Sequence, residues 1–417
     1  MPKSRPLQRL LVNRLLVIAL GQSLLLTVGS CSAVPQVQSG ADRLHAQDHG
    51  AKSILTNRRV GLITNHTGKT AQGETTIDLL HNDPEIRLVR LFCPEHGIRG
   101  RAENGVEITD GLDTKTGLPI VSLYGATRRP LPKHLEGLDV LVFDIQDIGA
   151  RFYTYISTMG LAMEVAAEAG IAFVVLDRPN PIGNRVEGPL PDGKLSFVCP
   201  HSIPIRHGMT VGELARMFKA ERKLANLDLR VIKMTGYERT MWFDQTGLPW
   251  TAPSPNMPDI EAATLYPGIG ILEFLELSVG RGTDSPFRIV GAPYLDGAAL
   301  ATDLADRGVL AGVAIEVIEF RPTKSKFAEK TCYGIQLKIT DRDRCQPLKI
   351  GIAIGAHLAR HHPKQSDFDR KIGILLKHPE TAAAMKAGNP LPSTWDTDTA
   401  SFANRRAPFL LYPQATE

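Results

Sequence analysis

Apolar residues along this chain come in short runs separated by polar turns. Five runs read as strands: RVGLIT at 59–64, IRLVRLF at 86–92, PIVSLY at 119–124, VLVFDI at 140–145 and AFVVLD at 172–177. Each is β-rich and too short for a helix. Between the last two, residues 158–169 repeat apolar positions at i, i+3 and i+4, which predicts a helix. Strands alternating with helices predict βαβ units, a mostly parallel sheet and right-handed crossovers. The pattern changes near 260–290: VAIEVIEFRP at 313–322 and YGIQLKITDR at 333–342 read as strands of a mixed region, followed by a helix at 350–359. The expected fold class is α/β, a Rossmann-like mostly parallel sheet domain over 51–270 followed by a smaller α+β auxiliary domain over 271–417.

The N-terminus follows a different pattern. Residues 1–30 hold Lys3, Arg5, Arg9 and Arg14 and no acid, then the apolar stretch LLVIALGQSLLLTV and small residues, which reads as a secretion signal. The stretch VGSC, ending at Cys31, fits a bacterial lipobox in which the cysteine is lipidated after cleavage; an ordinary leader cleaved near SAV is the alternative. Ser32 rather than Asp follows the cysteine, which favours the outer membrane in a cell that has two. Residues 31–50 are polar without apolar periodicity and read as a tether. The expectation is an exported protein of the cell envelope or periplasm, held to the membrane through Cys31. No second apolar run reaches the length of a membrane span.

Composition is that of a globular protein, 43% hydrophobic and 22% charged over 417 residues. The net charge of +4 comes from the leader: without its four basic residues, the 48 in the chain become 44, against 44 acidic. A nucleic-acid partner is therefore not expected, and no protein partner is inferred. Cys93, Cys199, Cys332 and Cys345 have no metal-ligand spacing. Cys93 reads as a buried strand-end residue, and Cys332 with Cys345 is a possible hairpin disulfide.

In an open parallel sheet, ligands bind beyond the carboxyl ends of the strands. Here those ends carry Asn65-His66-Thr67-Gly68, Pro94-Glu95-His96-Gly97, Tyr124-Gly125, Asp144 through Tyr153, and Asp177-Arg178-Pro179-Asn180. One such turn means little, because Asn, Asp and Gly are ordinary turn residues. Five bearing carboxyls, imidazoles and guanidiniums predict a site. No dinucleotide fingerprint, Walker A motif or nucleophile elbow is present, so neither cofactor nor metal is expected. What remains is carboxylate chemistry. Glu95 stands beside Cys93-Pro94 at the mouth of an apolar strand, where partial desolvation favours a protonated acid. Asp144 and Asp147 are candidate second carboxylates for glycoside hydrolysis. A turn carboxylate or helix cap for Glu95, and a turn cap for Asp144, are the plainer alternatives. For His96 an orienting hydrogen bond is favoured over metal binding. Asn65, Gln146, Tyr153, Asp177, Asn180 and Asn256, the last held in PSPNMP, are candidate substrate contacts, as are Arg281 and Asp284 on a Gly-flanked loop.

GLITNHTG, PEHGIRG, FDIQDIGARFYTYISTM, VLDRPNPIG, EGPL, HGMTVGELA, PSPNMP, LYPGIGILE and SVGRGTDSPF together resemble the NamZ-type exo-β-N-acetylmuramidases, glycoside hydrolase family 171, from about residue 58 to the C-terminus. The resemblance implies a Rossmann-like catalytic domain, a smaller auxiliary domain, and release of terminal β-linked N-acetylmuramic acid from the non-reducing end of peptidoglycan fragments. It puts the family's Pro-Glu-His-Gly glutamate on Glu95, as catalytic acid. The lactyl carboxylate of the sugar calls for a guanidinium fork, with Arg151, Arg178 and Arg281 as candidates. The chain departs from the family where Glu-Gly-Thr-Asn is usual and Glu273-Phe274-Leu275-Glu276 stands instead. A non-catalytic envelope lipoprotein that binds peptidoglycan fragments is the competing function.

Overall fold

The computed structural model describes residues 37–46, 48–99 and 108–414. The leader and Cys31 lie outside them. Seven strands form the larger sheet: β1 (Arg59–Thr64), β2 (Arg87–Cys93), β3 (Gly111–Leu112), β4 (Pro119–Ser122), β5 (Val140–Asp144), β6 (Ala172–Leu176) and β7 (Leu229–Ile232). Their spatial order is β3-β4-β2-β1-β5-β6-β7, and every pairing is parallel except the short β3–β4 edge.

Alternation along the buried strands builds two cores, one on each face. Val140, Val142, Ala172 and Val174 pack with Leu55, Ile77 and Leu80. Leu141, Phe143, Phe173 and Val175 point the other way and pack with the helices Tyr155–Ala169 and Val211–Glu221. Because both faces are covered, β5 and β6 are buried at every position. The chain leaves β1 toward β2 and returns to β5 on the opposite side. This is the topological switch point at which open α/β sheets bind ligands, and in-register pairing sets Thr64 beside Asp144 there.

A second sheet, antiparallel in order β8-β10-β9, is made by β8 (Ile289–Ala292), β9 (Val313–Phe320) and β10 (Cys332–Ile339). It shares one continuous apolar core with the first region. The helices Ile260–Ile269 and Pro347–His361 meet at Gly268 and Gly351, where a Cβ on Gly351 would stand 2.0 Å from the Gly268 carbonyl oxygen. Only glycine permits that approach.

One expectation needs correction. The tether ends before Val37: Val37 is fully buried, its N–H donates to the Thr246 carbonyl at 3.0 Å, and a capped helix runs Gly40–His45. Gly40 lies against the backbone of Leu176 and Asp177, a close approach that leaves no apolar periodicity in the sequence to announce it. The Cys332–Cys345 disulfide is not formed, and the four cysteines of the described residues are buried free thiols. Among the described residues, no helix is long and apolar enough to cross a membrane.

Candidate active site

The turn after β2 delivers Glu95 and His96 to a cavity of about 250 Å³ at the carboxyl edge of the sheet. The chain reverses there through two consecutive left-handed residues, His96 at φ 70° and Gly97 at φ 72°. Glycine adopts that conformation freely, whereas a side chain does so at a cost, and such outliers cluster at functional sites. His96 sets its ring edge-on to Tyr155, centroids 6.5 Å apart. Glu95 is only 5% exposed.

Thr154 links the turn to the next element. It occupies the N-cap of the helix Tyr155–Ala169, yet makes no side-chain capping bond. Its hydroxyl instead donates to Glu95 Oε2 at 2.6 Å. A residue type selected at helix starts for capping here positions a carboxyl from another strand. Tyr124, beyond β4, lies close to the same carboxyl: burial first, then the Glu95 charge, pushes its phenol up to about 12. Tyr155 donates to the Pro253 carbonyl at 2.6 Å, which fixes its ring. Aromatic edge-to-face contacts continue the wall, with Tyr153–Tyr155 centroids 5.0 Å apart and Tyr153–Tyr266 5.8 Å apart. On a further side, Arg281 Nη2 lies 2.8 Å from Glu273 Oε1, and Phe274 is 39% exposed at the cavity.

Of the residues expected at the site, Glu95, His96, Tyr153 and Arg281 share this cavity. Others form a buried network around the switch point. Asp144 is fully buried and held bidentately by Arg178, Nε to Oδ1 at 2.5 Å and Nη2 to Oδ2 at 2.9 Å, with the Thr76 hydroxyl also donating to it. Asn65 Oδ1 accepts from the Thr67 N–H at 2.9 Å and hydroxyl at 2.6 Å, and Gln146 donates to the Asp147 and Pro179 carbonyls. Gln146 and Arg178 border a separate cavity of about 200 Å³. Asp177 accepts from Thr210, the Gly212 N–H and Tyr412, and burial pushes its carboxyl up to about 6. Asn180 donates to the Met209 carbonyl at 3.1 Å. Asp147 accepts from the Gly149 N–H at 2.7 Å, with His207 Nε2 3.6 Å away. None of these residues lines the Glu95 cavity.

The lactyl-fork role expected of Arg151 does not fit its position. Arg151 is fully buried and donates to four backbone carbonyls, those of Pro189, Ile203, Leu375 and Leu376, at 2.9–3.2 Å. Burial lowers its pKa to about 10. Arg178 is bonded to Asp144 and borders the separate cavity, not the one that holds Glu95. Asn256 is buried on the loop whose Ser254 and Met257 reach the cavity, whereas Asp284 is exposed and does not line it. Sequence reasoning missed Thr154, Glu273 and Arg128 as site residues. Thr154 reads as a helix cap, Glu273 ends an apolar stretch, and Arg128 sits in a loop without a motif. Metal-ligating types gather elsewhere: ligand atoms of Asp303, His357 and His361 lie within 4.8 Å of one another. His357 Nδ1 and Asp303 Oδ2 are 3.1 Å apart.

Fold and site define the class, a Rossmann-like α/β protein with a carboxylate-bearing, aromatic-walled cavity at its strand ends. The chain belongs to the exo-β-N-acetylmuramidase NamZ family, whose N-terminal model matches residues 60–261 and whose C-terminal model matches residues 264–412. It is 45% identical over 336 residues to the peptidoglycan β-N-acetylmuramidase NamZ of Bacillus subtilis strain 168, covering 80% of each chain. Two crystal structures of DUF1343-family proteins from Bacteroides fragilis share the fold. One has a TM-score of 0.81 at 37% identity and covers 90% of this chain and 99% of its own. The other has a TM-score of 0.74 at 31% identity and covers 91% and 99%.

Proposed function

We propose that this chain is an exo-acting glycoside hydrolase that releases terminal β-linked N-acetylmuramic acid from the non-reducing end of peptidoglycan fragments. The observation that carries the reading is the family's glutamate, Glu95, buried in a cavity of about 250 Å³ with a hydroxyl bonded to its carboxyl. Pockets for drug-sized ligands run from roughly 300 Å³ upward, so this one suits a single sugar and not a glycan chain. That size supports exo action.

Thr154 holds the Glu95 carboxyl through Oε2 at the cavity, which orients it toward a bound sugar. The acid protonates the leaving glycosidic oxygen as its bond to the anomeric carbon breaks; water supplies the hydroxyl that this carbon takes up, and the remaining proton of that water restores the acid. Asp144 and Asp147 do not line the cavity. Glu273 does, beside Arg281, and replaces them as the second carboxylate of this reading. The test is turnover of a chromogenic β-N-acetylmuramic acid glycoside and of a disaccharide carrying that sugar at its non-reducing end. Free N-acetylmuramic acid is the expected product. Saturable binding of both without release would instead establish the non-catalytic envelope binder.

The same reading takes the protein as exported and lipid-anchored through Cys31, supported by the basic and apolar leader ahead of VGSC. Cys31→Ser is expected to move the protein from the membrane fraction to the soluble fraction, with its specific activity intact. Unaltered membrane partitioning would refute the anchor.

A further inference from the structure

The cavity wall carries two guanidiniums in opposite electrostatic states. Arg281 is engaged: Glu273 lies 2.8 Å away, and the Phe287 ring centroid stands 5.2 Å from its guanidinium carbon. Its charge is balanced before any ligand arrives. Arg128 stands on the loop between β4 and the helix Pro132–Leu135 and also lines the cavity, but it is exposed. Among the described residues it has no ion pair and donates to no protein acceptor.

Two aromatic faces hold Arg128. Its guanidinium carbon is 4.5 Å from the Phe197 ring centroid and 5.4 Å from that of Tyr124. Stacking on aromatic rings orients a guanidinium while leaving its in-plane N–H groups available. Five donors in a fixed fork therefore remain for a ligand, and the geometry of a fork matches a carboxylate bidentately. We infer that Arg128, seated on Phe197 and Tyr124, is the subsite that binds a carboxylate on the substrate. If the proposed glycosidase function holds, that group is the lactyl ether carboxylate of N-acetylmuramic acid.

The position of Tyr124 supports the assignment. Its ring carries Arg128 and its phenol lies near Glu95, so one side chain spans from the anion anchor to the acid. In a muramic acid glycoside the lactyl ether on C3 and the scissile oxygen on C1 are separated by C2 alone. An acid and an anion anchor serving that sugar must stand about one ring apart, as two groups bridged by one tyrosine do.

The test compares Arg128→Gln and Arg128→Lys with the wild type on β-N-acetylmuramic acid and β-N-acetylglucosamine glycosides. These sugars differ only in the lactyl ether. A charge-assisted hydrogen-bonded pair is worth roughly 10- to 100-fold in affinity. Arg128→Gln is expected to lower the muramic-to-glucosamine ratio of kcat/KM by about that factor, mainly through KM, because the carboxylate does not change charge during the reaction. Arg128→Lys is expected to recover part of the ratio. Calorimetry with free N-acetylmuramic acid and N-acetylglucosamine runs alongside. If the wild type hydrolyses muramic acid glycosides and Arg128→Gln leaves the ratio intact, the subsite is overturned and the glycosidase function stands. If no substrate is hydrolysed but free N-acetylmuramic acid binds with an affinity that Arg128→Gln abolishes, the glycosidase function is overturned and the subsite stands. Equal loss on both sugars, with unfolding midpoint preserved, also overturns the subsite.

Discussion

Two regions along the same edge of the large sheet treat carboxylates differently. Beyond β2, Glu95 sits in a cavity with a hydroxyl as its bonded neighbour. Beyond β5, Asp144 is fully buried, gripped by Arg178 and bonded by Thr76. Both strand ends carry the same kind of residue, yet Glu95 itself lines a cavity, whereas Asp144 is enclosed by its partners, of which Arg178 borders the separate cavity of about 200 Å³. A buried ion pair must supply its own partners, because desolvating an unpaired charge is costly. Asp144, Arg178 and Thr76 thus complete one another and brace the switch point, where Thr64 also donates to the Asp144 carbonyl at 2.8 Å. The polar character of a strand end therefore does not by itself mark a site. What separates these two carboxyls is that Glu95 lines open volume itself and Asp144 does not.

The largest effect that sharpens this contrast is expected at Glu95. Glu95→Gln preserves shape and can still accept from Thr154, but it has no proton to deliver. General acid catalysis is worth roughly 10²–10⁴-fold, so kcat on a natural disaccharide should fall by that order. A nitrophenyl glycoside, whose leaving group needs little protonation, should lose much less. The unfolding midpoint should move little. Near-full turnover of the disaccharide by this variant would place the acid elsewhere.

Arg178→Met reverses the pattern of readouts. It leaves the fully buried Asp144 carboxylate without its guanidinium, and breaking a buried pair on one side costs about 3–5 kcal/mol. The loss should appear in urea denaturation, while kcat of the folded fraction stays within a few-fold of wild type because neither residue lines the Glu95 cavity. A large fall in kcat with stability preserved would mean that the switch-point network takes part in the chemistry.

This division explains what the sequence made legible. Strand runs and the parallel sheet follow from short apolar segments, and β1, β2, β5 and β6 lie where the pattern puts them. The turn holding Glu95 was also readable, because Pro94, His96 and Gly97 punctuate it. Which polar strand ends open on a cavity was not, since Asp144 and Glu95 have the same local signature and differ only in what packs against them. Arg151 is the sharpest case. Its motif neighbours Gly149 and Tyr153 made it a candidate ligand-binding residue, but its four carbonyl partners come from residues 189–376, which no local pattern associates with it. Arg128 shows the reverse: an unremarkable loop arginine becomes a cavity residue because Phe197, 69 positions later, comes beneath it.

The smallest expected effect concerns Phe274, where the family resemblance leads one to expect glycine. The side chain borders the Glu95 cavity and also a neighbouring cavity of about 210 Å³, and Glu273 and Arg281 line both. Phe274 thus adjoins both spaces, next in sequence to the Glu273 that pairs with Arg281. Phe274→Gly removes one aromatic surface from the wall of both spaces. A partly exposed ring contributes only part of the roughly 1.5–3 kcal/mol of full burial, so KM for a muramic acid glycoside should rise a few-fold, with kcat nearly constant. The unfolding midpoint should fall only slightly, because the residue is already 39% exposed. A change in kcat that exceeds the change in KM would show instead that Phe274 sets the position of the Glu273–Arg281 pair, and would move that pair from the wall of the cavity into its chemistry.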